Sequence, residues 1–86
     1  MSRHLRLADW EAVLTYAEEI AKKAVEDFGI KVVAIPYTMY DGARGVKLAV
    51  YDSRGNLFKE LYSGINDTVC EYKRALDKAY LTIGAL

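Results

Sequence analysis

Several residue types are rare or absent: the 86 residues include one cysteine, one histidine, one proline and no glutamine. A single cysteine, Cys70, cannot form an intramolecular disulfide, so no disulfide framework is expected. One thiol and one imidazole cannot make the Cys-x-x-Cys or His-x-x-x-His pairs of metal sites. We therefore predict no metal and no cofactor. Scarcity of amide side chains is one trait of thermophile proteins and is consistent with a hot-environment source.

No sign of charge dominates, because twelve basic and twelve acidic residues cancel. This balance argues against a protein devoted to binding a long polyanion. No apolar run approaches the roughly 20 residues of a membrane-spanning helix, and the N-terminus lacks the apolar core of a secretion signal. With 52% hydrophobic and 28% charged residues, we expect one globular cytoplasmic domain over residues 1–86, of which residues 1–7 form a mobile tail.

Two segments have helical periodicity. From Asp9 to Phe28, apolar residues recur every three or four positions, with Asp9 as the expected N-cap and Gly29 as the expected C-cap. The second helix follows Thr68, which forms a capping box with Glu71. We expect that helix to end at a Gly84 cap.

Three segments between the helices have strand character. Residues 30–40, 46–51 and 57–62 are rich in β-branched and aromatic side chains, and turn sequences separate them. Pro36 places the first strand at a sheet edge or marks a bulge. The predicted fold is α+β: an α-β-β-β-α chain with a three-stranded antiparallel sheet packed by two helices.

If both helices lie on one face of this sheet, the strand alternation assigns a distinctly apolar set of side chains to the other face. These are Val33, Ile35, Tyr37, Met39, Lys47, Ala49 and Tyr51. Such a face is too apolar to be left bare in water, so a helix or another protein must cover it. We interpret it as a candidate interaction face for a protein partner or for a second copy, which Ile35→Lys should disrupt.

The sequence gives little evidence for a set of catalytic residues. Cys70 and His4 would need to lie within hydrogen-bond reach of each other, and His4 falls in the expected tail. We expect Cys70 to be a small packing residue. Asp41 and Asp52 fit backbone-capping roles in turns, and neither turn matches a phosphate-binding loop. We predict no catalytic residues and no enzyme activity.

The α-β-β-β-α order also resembles that of double-stranded RNA-binding domains, which recognise shape and phosphates. Those domains carry a lysine cluster at the start of the last helix. Here residues 66–71 are acidic in that position, and the basic residues come later, at Lys73, Arg74 and Lys78. A surface of Lys47, Tyr51 and Arg54 is an alternative site for a single nucleic-acid strand.

Two segments resemble the GlcG/HbpS-like family. Residues 46–57 (VKLAVYDSRGNL) are similar to its strand–turn–strand, and residues 75–82 (ALDKAYLT) to the helix that follows. The resemblance implies a small α/β protein associated with haem or corrinoid systems, often oligomeric. The chain departs from the family at residues 62–65 and in the extra strand at 30–40, so no ligand residue is transferred.

Together these patterns favour a small, non-enzymatic, self-associating protein-binding module. Accessory or inhibitor proteins of viruses and mobile elements have this character. The alternatives are a nucleic-acid-binding domain and a small-molecule or haem-binding protein of the GlcG-like type.

Overall fold

In the computed structural model, which describes residues 5–86, two amphipathic helices precede and follow a run of three strands along the chain. The elements follow the predicted order. They are α1 (Leu7–Phe28), β1 (Lys31–Thr38), β2 (Arg44–Tyr51), β3 (Leu57–Tyr62) and α2 (Val69–Gly84). This confirms the α-β-β-β-α architecture and its α+β class.

Helix α1 begins earlier than expected. Its N-cap is Arg6, which makes no side-chain cap bond, so the prediction of Asp9 as cap is wrong. Asp9 lies in the first turn, where its negative carboxylate interacts favourably with the positive end of the helix dipole. The carboxylate also pairs with Arg6 at 3.6 Å. Leu5 packs against the core. Leu5 and Leu7 therefore belong to the domain, and residues 1–4 of the expected tail lie outside the described residues.

Of the other three helix ends, two have the predicted caps and one does not. Gly29 adopts the left-handed conformation (φ 68°) that ends α1, as predicted. Thr68 caps α2 by accepting the Glu71 N–H at 3.1 Å. Gly84 is not the expected cap, because it is still helical and Ala85 follows as C-cap. A Cβ at Gly84 would lie 2.7 Å from Cζ of Phe28, so glycine is needed here for close approach between the helices.

The strands form one antiparallel sheet in the order β1-β2-β3. Val33 of β1 lies opposite Ala49 of β2, which in turn lies opposite Glu60 of β3. Pro36 therefore lies on an edge strand, as predicted, because a central strand would require its missing N–H. The β2–β3 register shifts between Val50 and Tyr51, so Phe58 is an extra residue. This bulge explains the blurred alternation of β3.

Both helices pack on the same face of the sheet. Val32, Val46, Leu48 and Val50 join the buried stripes of α1 and α2 in one core cluster. Because three strands separate them, the helices run parallel: Trp10 meets Tyr72 near their starts, and Phe28 meets Tyr80 near their ends. Neither helix crosses to the other face.

Candidate interaction face

The face of the sheet opposite the helices, called the open face below, is formed by alternate residues of all three strands. Its members contribute nothing to the core cluster beneath the helices. By alternation and register they are Lys31, Val33, Ile35, Tyr37, Gly45, Lys47, Ala49, Tyr51, Leu57, Glu60 and Tyr62.

The structure places most of the predicted face residues together on this surface. Val33, Ile35 and Tyr37 come from β1, and Lys47 and Tyr51 from β2. Met39 is an exception, because β1 ends at Thr38 and Met39 lies in the following turn.

The turn that removes Met39 from the strand has its own local cause. The Met39 N–H donates to the Ala43 carbonyl at 2.7 Å, and Asp41 Oδ1 accepts the Ala43 N–H at 3.0 Å. Gly42 supplies a positive φ of 91°, a conformation that glycine adopts without steric cost. These contacts start β2 at Arg44, two residues before the predicted Val46.

The centre of the open face is built from small residues covered by long neighbours. Gly45 and Ala49 stand on the central strand, and Ala49 is only 1% exposed without any helix above it. Tyr37 and Tyr62, from the two edge strands, meet edge to face with ring centroids 5.6 Å apart. A Cβ at Gly45 would lie 2.3 Å from Cζ of Tyr37. Glycine at this position therefore allows the Tyr37 ring to lie across β2.

A charge pair lies beside these rings. Lys47 Nζ contacts Glu60 Oε2 at 2.7 Å, and the Tyr62 hydroxyl donates to Glu60 Oε1 at 3.0 Å. The Lys47 ammonium, and secondly the Tyr62 hydroxyl, lower the pKa of Glu60. The hydrogen bond to Glu60 raises the pKa of Lys47. The two charges compensate each other, so the middle of the face carries no net charge.

Apolar and aromatic side chains remain available around this pair. Val33 is 36% exposed and Tyr62 is 56% exposed, while the Lys31 ammonium lies over the Tyr51 ring at 5.2 Å from its centroid. A surface of this composition suits protein contact, since aromatic side chains are enriched in protein interfaces.

Sequence reasoning missed Glu60 and Tyr62 as members of the face. The bulge at Phe58 hides the alternation of β3, and Leu61 between them adds a second apolar signal. Their i,i+2 spacing, which places both on one side of a strand, is the signal by which they could have been found.

The side chains considered for catalysis or metal binding do not form a common site among the described residues. Cys70 is exposed near the start of α2, so its prediction as a packing residue is wrong. His4 lies outside the described residues. Asp52 Oδ1 accepts the N–H groups of Arg54 and Asn56, each at 2.9 Å, in the capping role predicted for it. Within residues 5–86 no cluster of metal-ligating side chains is present.

The alternative nucleic-acid surface is partly neutralised. Lys47 is held by Glu60, and Arg54 lies in the turn between β2 and β3, outside the strands. Glu71 occupies the first turn of α2, a position where double-stranded RNA-binding domains carry lysines. Phosphate binding requires basic groups free to replace counterions, and on this surface Lys47 already has a carboxylate partner.

No protein-family model matches the chain, and no curated protein or solved structure shows significant similarity to it. The resemblance to the GlcG/HbpS-like family therefore stays a prediction. Among the helices of the described part of the chain, none combines the length and hydropathy of a membrane span.

Proposed function

We propose that this protein is a non-enzymatic protein-binding module that self-associates through its open face. The observation that supports the proposal is the position of the helices: both lie on one side of the sheet, and no helix of the described chain covers the apolar and aromatic residues of the other side. An exposed apolar patch of this kind is typical of interaction sites.

A second copy is the occupant favoured by the charges of the face. Lys47 and Glu60 neutralise each other within one chain, so two open faces meet without like-charge repulsion at their centres. The pair also retains its own partners on burial, which limits the desolvation penalty that an unpaired charge would incur. The net charge of zero removes long-range repulsion between copies.

The substitution Ile35→Lys tests the proposal. Ile35 lies opposite Lys47 on the open face, and a second ammonium there places an uncompensated charge in the contact. The matched control is Val25→Lys, because Val25 is 41% exposed on α1, which packs on the other side of the sheet. The measurement is solution mass by light scattering at high protein concentration.

We expect the unmodified protein to be an oligomer, Ile35→Lys to reduce its mass, and Val25→Lys to leave it unchanged. Circular dichroism checks that both variants are folded. A monomeric unmodified protein contradicts self-association. Co-purified nucleic acid, seen as excess absorbance at 260 nm, or a visible chromophore would instead support the alternatives of nucleic-acid or haem binding.

A further inference from the structure

The two edges of the sheet are not equivalent. The Met39 N–H bonds to the Ala43 carbonyl, and hydrogen-bonded and non-hydrogen-bonded pairs alternate along an antiparallel ladder. Pro36 and Val46 therefore form a non-hydrogen-bonded pair, and the backbone nitrogen of Pro36 points away from β2. A proline at this position closes the outer edge of β1 to strand addition, because it offers no donor.

The outer edge of β3 has no such block. The Ser63 N–H donates to the Val46 carbonyl at 2.9 Å, so the same alternation leaves Glu60 and Tyr62 in non-hydrogen-bonded pairs with β2. Their N–H and C=O groups point outward. β3 also carries three exposed large apolar side chains, Leu57, Phe58 and Tyr62, each more than half exposed.

A groove runs beside this edge, between β3 and α2. It has a volume of about 390 Å³ and is lined by Glu60, Leu61, Tyr62, Ala75, Lys78, Ala79 and Thr82. The short side chains of Ala75 and Ala79 leave the space next to the strand unfilled. An exposed strand edge beside a helix groove is the geometry in which proteins accept an added strand.

We propose that β3 pairs antiparallel with β3 of a second copy, joining two sheets into one of six strands. The favoured register places Leu61 opposite Leu61 of the second copy. Glu60 then lies opposite Tyr62 of the second copy, and their outward N–H and C=O groups form hydrogen-bonded pairs on both sides of the twofold axis. A register centred on Glu60 is disfavoured, because it sets two carboxylates directly opposite each other.

This edge contact is separate from the open-face contact and does not depend on it. Three strands of up to eight residues give an open face of roughly 400 Å², about half of what one partner contributes to a standard interface. Edge pairing doubles that surface. If the proposed function also holds, two six-stranded sheets stack face to face, and the assembly is a tetramer with two kinds of contact.

The test is Glu60→Pro, with Glu60→Gln as the matched control. Both variants remove the carboxylate, but only proline removes the outward N–H, at a position equivalent to that of Pro36 in β1. A second variant, Ala75→Arg, fills the groove from α2 and leaves the backbone of β3 unchanged; Ala75→Ser is its control. Solution mass is measured for each, and folding is checked by circular dichroism.

We expect the unmodified protein to have about four times the 9.7 kDa mass of one chain. Ala75→Arg should halve it, and Ala75→Ser should not. Glu60→Gln keeps the edge contact but leaves Lys47 without its carboxylate partner on the open face, so Glu60→Pro should have half the mass of Glu60→Gln. Equal masses for folded Glu60→Pro and Glu60→Gln, or an unchanged mass for folded Ala75→Arg, would overturn the edge contact, as would a monomeric unmodified protein. A dimer that survives Ile35→Lys but dissociates with Glu60→Pro and Ala75→Arg supports the edge contact and contradicts the open-face contact.

Discussion

The central strand β2 is buried on both of its faces, but by different means. Toward the helices it presents large aliphatic side chains, and Val46 and Leu48 are fully buried. Toward the open face it presents Gly45 and Ala49, which are covered by longer residues reaching across from β1 and β3. One face is thus closed by a separate layer of structure, and the other by the side chains of its own neighbouring strands.

This difference shows why the open face is both stable in one chain and suited to contact. Amphipathic side chains such as Lys47 shield apolar surface with their stems and keep a polar group accessible. The shielding is incomplete, since Val33 and Tyr62 remain exposed. The helix-covered face contributes the buried apolar packing that stabilises the fold, and the open face keeps surface available for a partner.

The largest expected effect is on the covered face. Leu48→Ala should destabilise the protein by about 2–5 kcal/mol, because it leaves a cavity at a side chain with 0% exposure. Val33→Ala, which removes an exposed side chain from the open face, should cost less than about 1 kcal/mol. Urea denaturation of both variants, at a concentration where the protein is monomeric, measures the difference. Equal losses would mean that the two faces contribute alike to stability.

A smaller effect is expected for Gly45→Ala. The new methyl group would collide with the Tyr37 ring, which must leave its contact with Tyr62 at a cost of about 1–2 kcal/mol. Because the clash is with a side chain, the double variant Gly45→Ala with Tyr37→Ala should show little further loss over Tyr37→Ala alone. A double-mutant cycle on the free energy of unfolding tests this, and additive losses would refute the coupling.

The smallest effect is the pH dependence contributed by Glu60, whose pKa is lowered in the folded protein. Its stabilising contribution is present above the ordinary glutamate pKa of about 4.3. It is lost as pH falls through the lower folded-state value. The difference in melting temperature between the unmodified protein and Glu60→Gln should therefore shrink between pH 7 and pH 3. A difference that stays constant would show that the Lys47 contact does not shift this titration.

The elements of the fold were predictable because their signals are local. Thr68 with Glu71 marks the start of α2, Gly29 marks the end of α1, and Pro36 marks an edge strand. Each depends on bonds within a few residues along the chain. The apolar side chains of β1 and β2 on the open face were predictable for the same reason, because strict alternation fixes which side of a strand a residue occupies.

The Asp9 and Met39 errors have local causes, but other errors and omissions concern residues whose roles depend on distant partners. Gly84 has the sequence signature of a cap, but its small size serves a contact with Phe28 in the other helix. Glu60 joins the open face through Lys47 on the neighbouring strand, and Gly45 accommodates Tyr37 from β1. The i,i+2 spacing of Glu60 and Tyr62 indicates which side of β3 they occupy, but it does not state which residues of the neighbouring strands they contact. The contacts themselves therefore could not be predicted from sequence spacing.

The parallel course of the two helices also constrains how the protein is made. Ile83, near the end of α2, is part of the same buried cluster as Val13 near the start of α1. The strands that follow α1 cover part of its hydrophobic stripe, but the part that faces α2 stays uncovered until α2 has been synthesised. Contacts between such distant segments slow folding, so that part of the stripe remains exposed on the nascent chain during this interval.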